Sequence, residues 1–264
     1  MTDKLSWTDA HNHLQDPRLG EAAPLITAMH AAGVGRCVVN ATCENDWSAV
    51  ESLALADPHG VSPAFGIHPW HAHTAATGWL ERLKELLENH PRSSIGECGL
   101  DQRATSAPMD IQRQVFRDHL RLARDMGRPL TIHCLHAWQP LFETFSETPP
   151  PPGFLIHAFS GSIELARRLI PLGAYFSFSG RFLDARNAST LETYRQLPRD
   201  RILLETDAPN MRPPDAFLTH AHPGHLNHPA NLPAIGRALA AVLAIPPADL
   251  AALTRDNTAH CFGR

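Results

Sequence analysis

The sequence predicts a (β/α)8 TIM-type barrel whose working end lies at the C-terminal ends of its strands. Three observations carry this expectation. Eight short runs of β-forming residues alternate with helical stretches, the pattern of a parallel sheet joined by crossover helices. The length, 264 residues, is ordinary for a barrel of this kind, which takes roughly 250. Several of the β runs also finish in a histidine or a carboxylate, as expected where strand ends converge on one mouth. No composition break separates the halves, so one domain over residues 1–264 is the simplest organisation, and closure is favoured over an open sheet.

The strand-like runs are 5–14, 36–42, 61–69, 93–100, 129–134, 154–160, 174–179 and 201–207. Candidate helices lie near 21–32, 44–56, 77–89, 108–127, 138–146, 162–170, 184–196 and 229–243. Trp79, Leu80, Leu83, Leu86 and Leu87 recur at helical spacing, and residues 111–126 continue that pattern with charges opposite, so both segments can cover a barrel. The prolines from Pro149 to Pro152 read as a stiff surface connection ahead of the sixth strand. Residues 208–228 form the longest irregular stretch and follow the last strand, where barrel enzymes place active-site loops.

Composition narrows the function. Hydrophobic residues make up 43% and charged residues 19%, enough for a large core and without a disorder signature. A formal charge of −4 argues against a broad basic surface holding long nucleic acid, so an anionic substrate would have to be gripped locally. No run reaches the roughly 18 apolar residues of a membrane helix, and no basic-then-apolar leader opens the chain, so a cytoplasmic address is expected. No membrane or obligate protein partner is indicated. The five cysteines lack CxxC spacing and sit mostly in strand-like runs, which suits free buried thiols. The excess is in histidine, 17 residues, which raises the expectation of metal binding.

The first strand ends in Asp9, Ala10, His11, Asn12 and His13. Side chains alternate across a strand, so Asp9, His11 and His13 should share one face. HxH by itself is a weak signal, equally explained by partly buried or surface histidines. It gains weight because Glu97, His133, His157 and Asp207 end the fourth, fifth, sixth and eighth runs. Burying several polar groups without partners costs roughly 2 kcal/mol or more each, so a common solution is needed. A metal cluster at the barrel mouth is one. Four histidines and two carboxylates suit two divalent ions, zinc or manganese, with magnesium open. One ion would take His11, His13 and Asp207, the other His133 and His157, with Glu97 bridging. Such a pair activates water against phosphoryl or carbonyl groups, which is hydrolytic chemistry.

At this point the chain resembles a known family, the TatD-like metal-dependent deoxyribonucleases of the amidohydrolase superfamily. The likeness is collective and runs through nearly the whole chain: Asp9-Ala-His-Asn-His13, Gly66-Ile-His-Pro69, Ile95-Gly-Glu-Cys-Gly-Leu-Asp101, Thr131-Ile-His-Cys134, His157-Ala-Phe-Ser-Gly161, Glu205-Thr-Asp-Ala-Pro209, Asn227-His-Pro229 and Asn257-Thr-Ala-His-Cys-Phe-Gly263. The resemblance implies the barrel fold, two divalent ions, and phosphodiester hydrolysis on DNA strands or ends, often as an exonuclease. It implies the same six metal ligands. It also implies catalytic roles for Glu97 and for Asp207, which would orient or deprotonate the attacking water. Glu205, two residues earlier, would hydrogen-bond a ligand histidine.

The chain departs from the family pattern after the fifth strand. Many members carry an arginine two residues past the strand histidine, whereas here Cys134, Leu135 and His136 follow His133, and Leu135 cannot contact a phosphate electrostatically. Asn227-His228-Pro229 stands where Asn-Glu-Pro is common, in a loop rich in histidine and proline. These changes open a second reading, a two-metal hydrolase of a non-nucleic amide, lactone or phosphoester. Among the remaining residues, His68 is a candidate substrate contact, whereas His71, His73 and His220, His222, His225 and His228 read as solvated. Cys98 and Cys134 should turn away from the ligands beside them, and Asp101 reads as a turn stabiliser. Arg181 and Arg212 are the candidates to replace the missing phosphate contact.

Overall fold

The computed structural model describes residues 6–263. Leu5, where the first strand was expected to begin, lies outside the described residues. Eight parallel strands form one sheet in the order β1 to β8: β1 Trp7–Asn12, β2 Val34–Asn40, β3 Val61–Phe65, β4 Ser94–Asp101, β5 Leu130–Leu135, β6 Phe154–Ile156, β7 Ala174–Ser179 and β8 Ile202–Glu205. Helices α1 Ala22–Ala32, α2 Trp47–Ala56, α3 Trp79–Asn89, α4 Met109–Met126, α5 Trp138–Glu147, α6 Ile163–Leu169, α7 Ala188–Gln196 and α8 Leu232–Leu243 follow the strands in turn, and α9 Pro247–Cys261 ends the chain.

The seam between β8 and β1 is stitched just past the strands. Asp207 N–H donates to His11 O (3.0 Å) and His13 N–H to Ala208 O (2.8 Å). The Asp9 carboxylate adds to it, accepting from Thr206 N (2.9 Å) and Thr206 Oγ1 (2.5 Å). Asp9 therefore does not join its neighbours His11 and His13 in one cluster. The β1–β2 register slips between Asp9 and Asn12, and the freed carboxylate serves barrel closure.

Two apolar layers follow from strand parity. The larger core packs outward-facing strand residues such as Phe65, Cys98, Ile132 and Phe176 against the helices, through Leu83, Leu87, Phe116 and Leu141. A smaller cluster of Ala10, Val38, Ala64, Leu155 and Leu203 meets Cys261 and Phe262. Leu155 and Leu203 each stand two residues before a polar residue of the mouth, His157 or Glu205, so this cluster fills the barrel beneath it. All five cysteines are free thiols; burial pushes the Cys98 thiol well up, so it packs as an inert apolar group.

Several boundaries differ from expectation, each for a local reason. The third, sixth and eighth strands were expected to reach residues 69, 160 and 207, but end at Phe65, Ile156 and Glu205. At the last two the chain turns through left-handed residues, Ala158 (φ 44°) and Asp207 (φ 51°). His157 and Asp207 thus sit on tight turns above the ladder. The first turns expected in the second, seventh and eighth helices are 3-10 turns at Glu44–Asp46, Ala185–Asn187 and Pro229–Asn231. Helix α9 was not expected at all. Its apolar residues lie scattered around its circumference, but Pro247 sits in its first turn, and Asn257 Nδ2 donates to Arg199 O (2.8 Å) and Ile202 O (2.9 Å) at the start of β8. Among the described residues no single helix is long and apolar enough to cross a membrane.

Candidate metal centre

Glu97 stands in the middle of the mouth, and its two oxygens face different neighbours. Oε2 lies 3.4 Å from His11 Nε2 and 3.3 Å from His13 Nε2. Oε1 lies 2.9 Å from His133 Nδ1 and 2.9 Å from His157 Nε2. On the first side Asp207 Oδ1 closes the group, 3.3 Å from His11 Nε2 and 3.4 Å from His13 Nε2. All six residues expected to be ligands therefore meet, although His157 and Asp207 arrive on turns and the others on or beside strands. Gly99 lets the β4 and β5 backbones close in: at φ 139°, a Cβ there would stand 2.0 Å from His133 O.

In three of the four imidazoles the second nitrogen shows which atom faces the cluster; His11 Nδ1 is buried without a hydrogen-bond partner. His13 Nδ1 donates to Asn40 O (2.7 Å). His133 Nε2 lies 3.3 Å from Asp101 Oδ2, and His157 Nδ1 lies 3.6 Å from Glu205 Oε1. With these nitrogens carrying hydrogen towards acceptors, the inward nitrogens present lone pairs, the arrangement of metal-binding histidines. Lone pairs then confront one another: His11 Nε2 and His13 Nε2 are 3.2 Å apart, and His133 Nδ1 and His157 Nε2 are 3.1 Å apart. Asp207 Oδ1 is buried without a hydrogen-bond partner. Cations resolve both problems, and the nitrogen and oxygen donors suit divalent ions.

The electrostatics agree. Burial opposes the charged form of His13, but Asp207 and Glu97 outweigh it and push the imidazole up to about 10. His157 is raised well above its ordinary value, Glu97 and Glu205 prevailing over burial. Burial should raise Glu97, yet the surrounding histidines hold it well below the usual carboxylate range. The mouth is an electronegative basin that favours positive charge, which a divalent ion bound by these residues would supply in place of protons.

His68 is drawn in more closely than a rim contact. Its Nε2 lies 3.4 Å from Glu97 Oε1, and it shares a donor group with Glu97 and His133. Its Nδ1, however, accepts from Trp70 N–H (3.2 Å), and burial presses its pKa down to about 4. A neutral ring accepting at Nδ1 carries its hydrogen on Nε2, so His68 offers a donor, where His13 offers a lone pair.

Asp101 was read as a turn stabiliser and does more. It is buried and touches His133 Nε2 as above. It also accepts from Trp70 Nε1 (2.6 Å) and Arg103 N (2.7 Å). Burial tends to raise it, but His133, Trp70 and Arg103 hold it down to about 2. The sequence signal was available: Glu97, Gly99 and Asp101 share a parity on β4. Glu205 is anchored on the far side by the Ser177 hydroxyl. At 3.6 Å its Oε1 pairs electrostatically with His157 without a hydrogen bond, and both atoms are buried with no other hydrogen-bond partner.

Of the other histidines, His71 and His73 stand on a 3-10 turn outside the cluster. His220 and His222 gather around His228, with ring centroids 5.4 and 6.2 Å away, so His228 is not solvated: it is buried and accepts from Ala230 N–H (3.0 Å). Leu135 ends β5 as the register partner of Asp101. A cavity of about 700 Å³ opens beside the turns after β7 and β8, lined by Arg181, Arg186, Asn210, Arg212 and His225 among others.

A parallel barrel with a buried histidine and carboxylate cluster at its mouth defines a metal-dependent hydrolase. Residues 8–263 match the family of TatD related DNases, and the chain belongs to that family. It is 31% identical over 243 residues to the 3'-5' ssDNA/RNA exonuclease TatD of Escherichia fergusonii, covering 90% of this chain and 92% of the relative. It is 30% identical over 200 residues to the metal-dependent hydrolase YabD of Bacillus subtilis, covering 75% and 76%. The crystal structure of YjjV, a TatD homologue of Escherichia coli, superposes with a TM-score of 0.88 at 26% identity and covers 98% of both chains.

Proposed function

We propose that the chain works as a single-domain cytoplasmic phosphodiesterase of the amidohydrolase superfamily, trimming single-stranded DNA or RNA from an end with two divalent ions, zinc, manganese or magnesium. The observation that carries this reading is the division of Glu97, one oxygen towards His11 and His13 and the other towards His133 and His157. His11, His13 and Asp207 would hold one ion, His133 and His157 the other, with Glu97 shared. Bound ions would supply a water activated near neutral pH and a clamp for phosphoryl oxygens.

The chain's own groups do the rest. Asp207, held below the usual carboxylate range by His11 and His13 in spite of its burial, orients the attacking water and takes its proton. His68 Nε2–H points a donor at the same space, where it can bind a non-bridging phosphate oxygen. Asp101 and Glu205 hold His133 and His157 in orientation. The phosphate contact that Leu135 cannot make falls to Arg181 and Arg212 in the cavity beside β7 and β8. The exonuclease named among the relatives supports a nucleic-acid substrate.

The test is cleavage of end-labelled single-stranded oligonucleotides with magnesium, manganese or zinc, comparing wild type with Asp207→Ala and Glu97→Ala. Metal-dependent cleavage should fall by at least 10² in both variants, and the labelled end gives the polarity. Equal background in all three proteins would move the assignment to a small amide, lactone or phosphoester, a reading favoured by the uncharged Leu135 and the net charge of −4.

A further inference from the structure

The β3 rim of the mouth carries an indole that the reaction scheme does not use. Trp70 is 53% exposed, and among the described residues no other tryptophan, tyrosine or phenylalanine ring is so open. An exposed indole would ordinarily be mobile, but this one is fixed. Its Nε1–H donates to the buried Asp101 carboxylate (2.6 Å), its backbone N–H donates to His68 (3.2 Å), and its carbonyl accepts from Ser106 Oγ (2.8 Å). His68 meets it edge to face, with centroids 5.3 Å apart. Both residues that hold the ring are themselves in contact with the cluster, His68 at Glu97 and Asp101 at His133. A large apolar face is thus held rigid and open beside the reacting centre, where solvent contact is costly and an immobilised ring loses little entropy on binding.

We propose that Trp70 is the stacking platform for the nucleobase that adjoins the phosphodiester held at the cluster. This rests on the nuclease reading of the site and specifies how it takes its substrate. Stacking on an indole accepts every base, because every base has a π face, so it grips a strand without reading its sequence. The position also suits the topology. Trp70 follows β3 while Arg181 and Arg212 follow β7 and β8, so base and backbone would be gripped on well-separated arcs of the mouth, with the cluster between them.

The test measures binding of a phosphorothioate-protected pentadeoxythymidylate to metal-loaded wild type, Trp70→Phe and Trp70→Ala. Its partner ligands are the same oligonucleotide with an abasic residue at either end. Wild type should prefer the fully base-bearing ligand about tenfold over one of the abasic forms. Trp70→Phe should keep most of that preference and Trp70→Ala should bind both alike. Wild type without a preference, or Trp70→Ala with the wild-type preference, overturns the proposal. So does an equal loss for all ligands in both variants, since that marks a residue acting only through Asp101 and His133. Cleavage of the unprotected oligonucleotide, run in parallel, reports the nuclease reading separately. Base-dependent binding without cleavage would sink that reading and leave the platform standing.

Discussion

At the scale of single residues, the site is organised by what lies behind each proposed ligand. Glu205 shows this best. Ser177 anchors one oxygen, the Tyr194 hydroxyl donates to Ser177 O (2.5 Å), and the remaining oxygen faces His157 Nδ1. Its charge, and not its shape, is what holds the hydrogen on Nδ1 and leaves Nε2 free for a cation. Glu205→Gln preserves volume and the Ser177 contact while removing that charge. The variant should fold normally and bind divalent metal 10 to 100 times more weakly, the range typical for losing a carboxylate behind a metal-bound histidine. Titration of the metal-stripped protein with zinc or manganese checks it, and wild-type affinity would show that His157 is oriented by the turn alone. The six proposed ligands were legible in the sequence because Glu97, His133, His157 and Asp207 interrupt or end apolar runs, and His11 and His13 alternate at the end of the first run. Asp101 was only half legible: its parity with Glu97 and Gly99 on β4 could be read, but its contact with His133 depends on the β4–β5 register. The donor role of His68 was equally hidden, because it follows from which nitrogen Trp70 occupies.

At the scale of elements, α4 is tied to the loop after β3 by one buried imidazole. His119 Nδ1 donates to Val115 O (2.7 Å), while Ile67 N–H donates to its Nε2 (3.1 Å), and Trp79 of α3 packs on the ring with centroids 4.8 Å apart. Protonation would destroy the second bond, and burial lowers this histidine to about 4 from an ordinary 6.5. Below 6.5 the unfolded chain takes up a proton that the folded chain refuses, so stability is complete above that pH and is lost as pH falls towards 4. The loss amounts to about 3 kcal/mol. His119→Gln should start from lower stability at neutral pH but show a shallower decline, by about that amount, in the unfolding free energy obtained from urea titrations between pH 7 and pH 4. Equal slopes in both proteins would place the acid sensitivity elsewhere. Such ties escape sequence reading. A period of 3.6 in residues 111–126 located α4 and its buried face, yet it could not distinguish a packing histidine from one joining two elements. Helix α9 was missed for a related reason: it is held by Asn257 and by small and polar buried residues such as Ala251, Thr254 and Thr258, which leave no apolar stripe.

At the scale of the whole molecule, a net charge of −4 repels a polyanion, so binding of a strand depends on local cations. Many arginines are already committed: Arg113 and Arg117 to Glu143 and Glu147 on α5, and Arg186 to Asp184. Arg212 bonds Asp215 (2.6 Å) at an exposed site, where such a pair is worth little and can be exchanged for phosphate. The Arg181 guanidinium makes no salt bridge among the described residues, and its residue lines the cavity together with Asn210 and Arg212. Each phosphate neutralised on a single strand releases about 0.7 of a counterion, which sets the slope of log affinity against log salt. Arg181→Ala should therefore weaken oligonucleotide binding at low salt by about 5- to 10-fold and flatten that slope by about 0.7, and Arg181→Ala with Arg212→Ala by up to twice as much. Lys84→Ala, on the exposed face of α3, serves as the control for general charge and should leave the slope unchanged. The decisive quantity is the slope. A loss of affinity at constant slope would mean that the arginines shape the cavity without touching phosphate, whereas a flattened slope in the cavity variants alone would place the strand's backbone along the turns after β7 and β8.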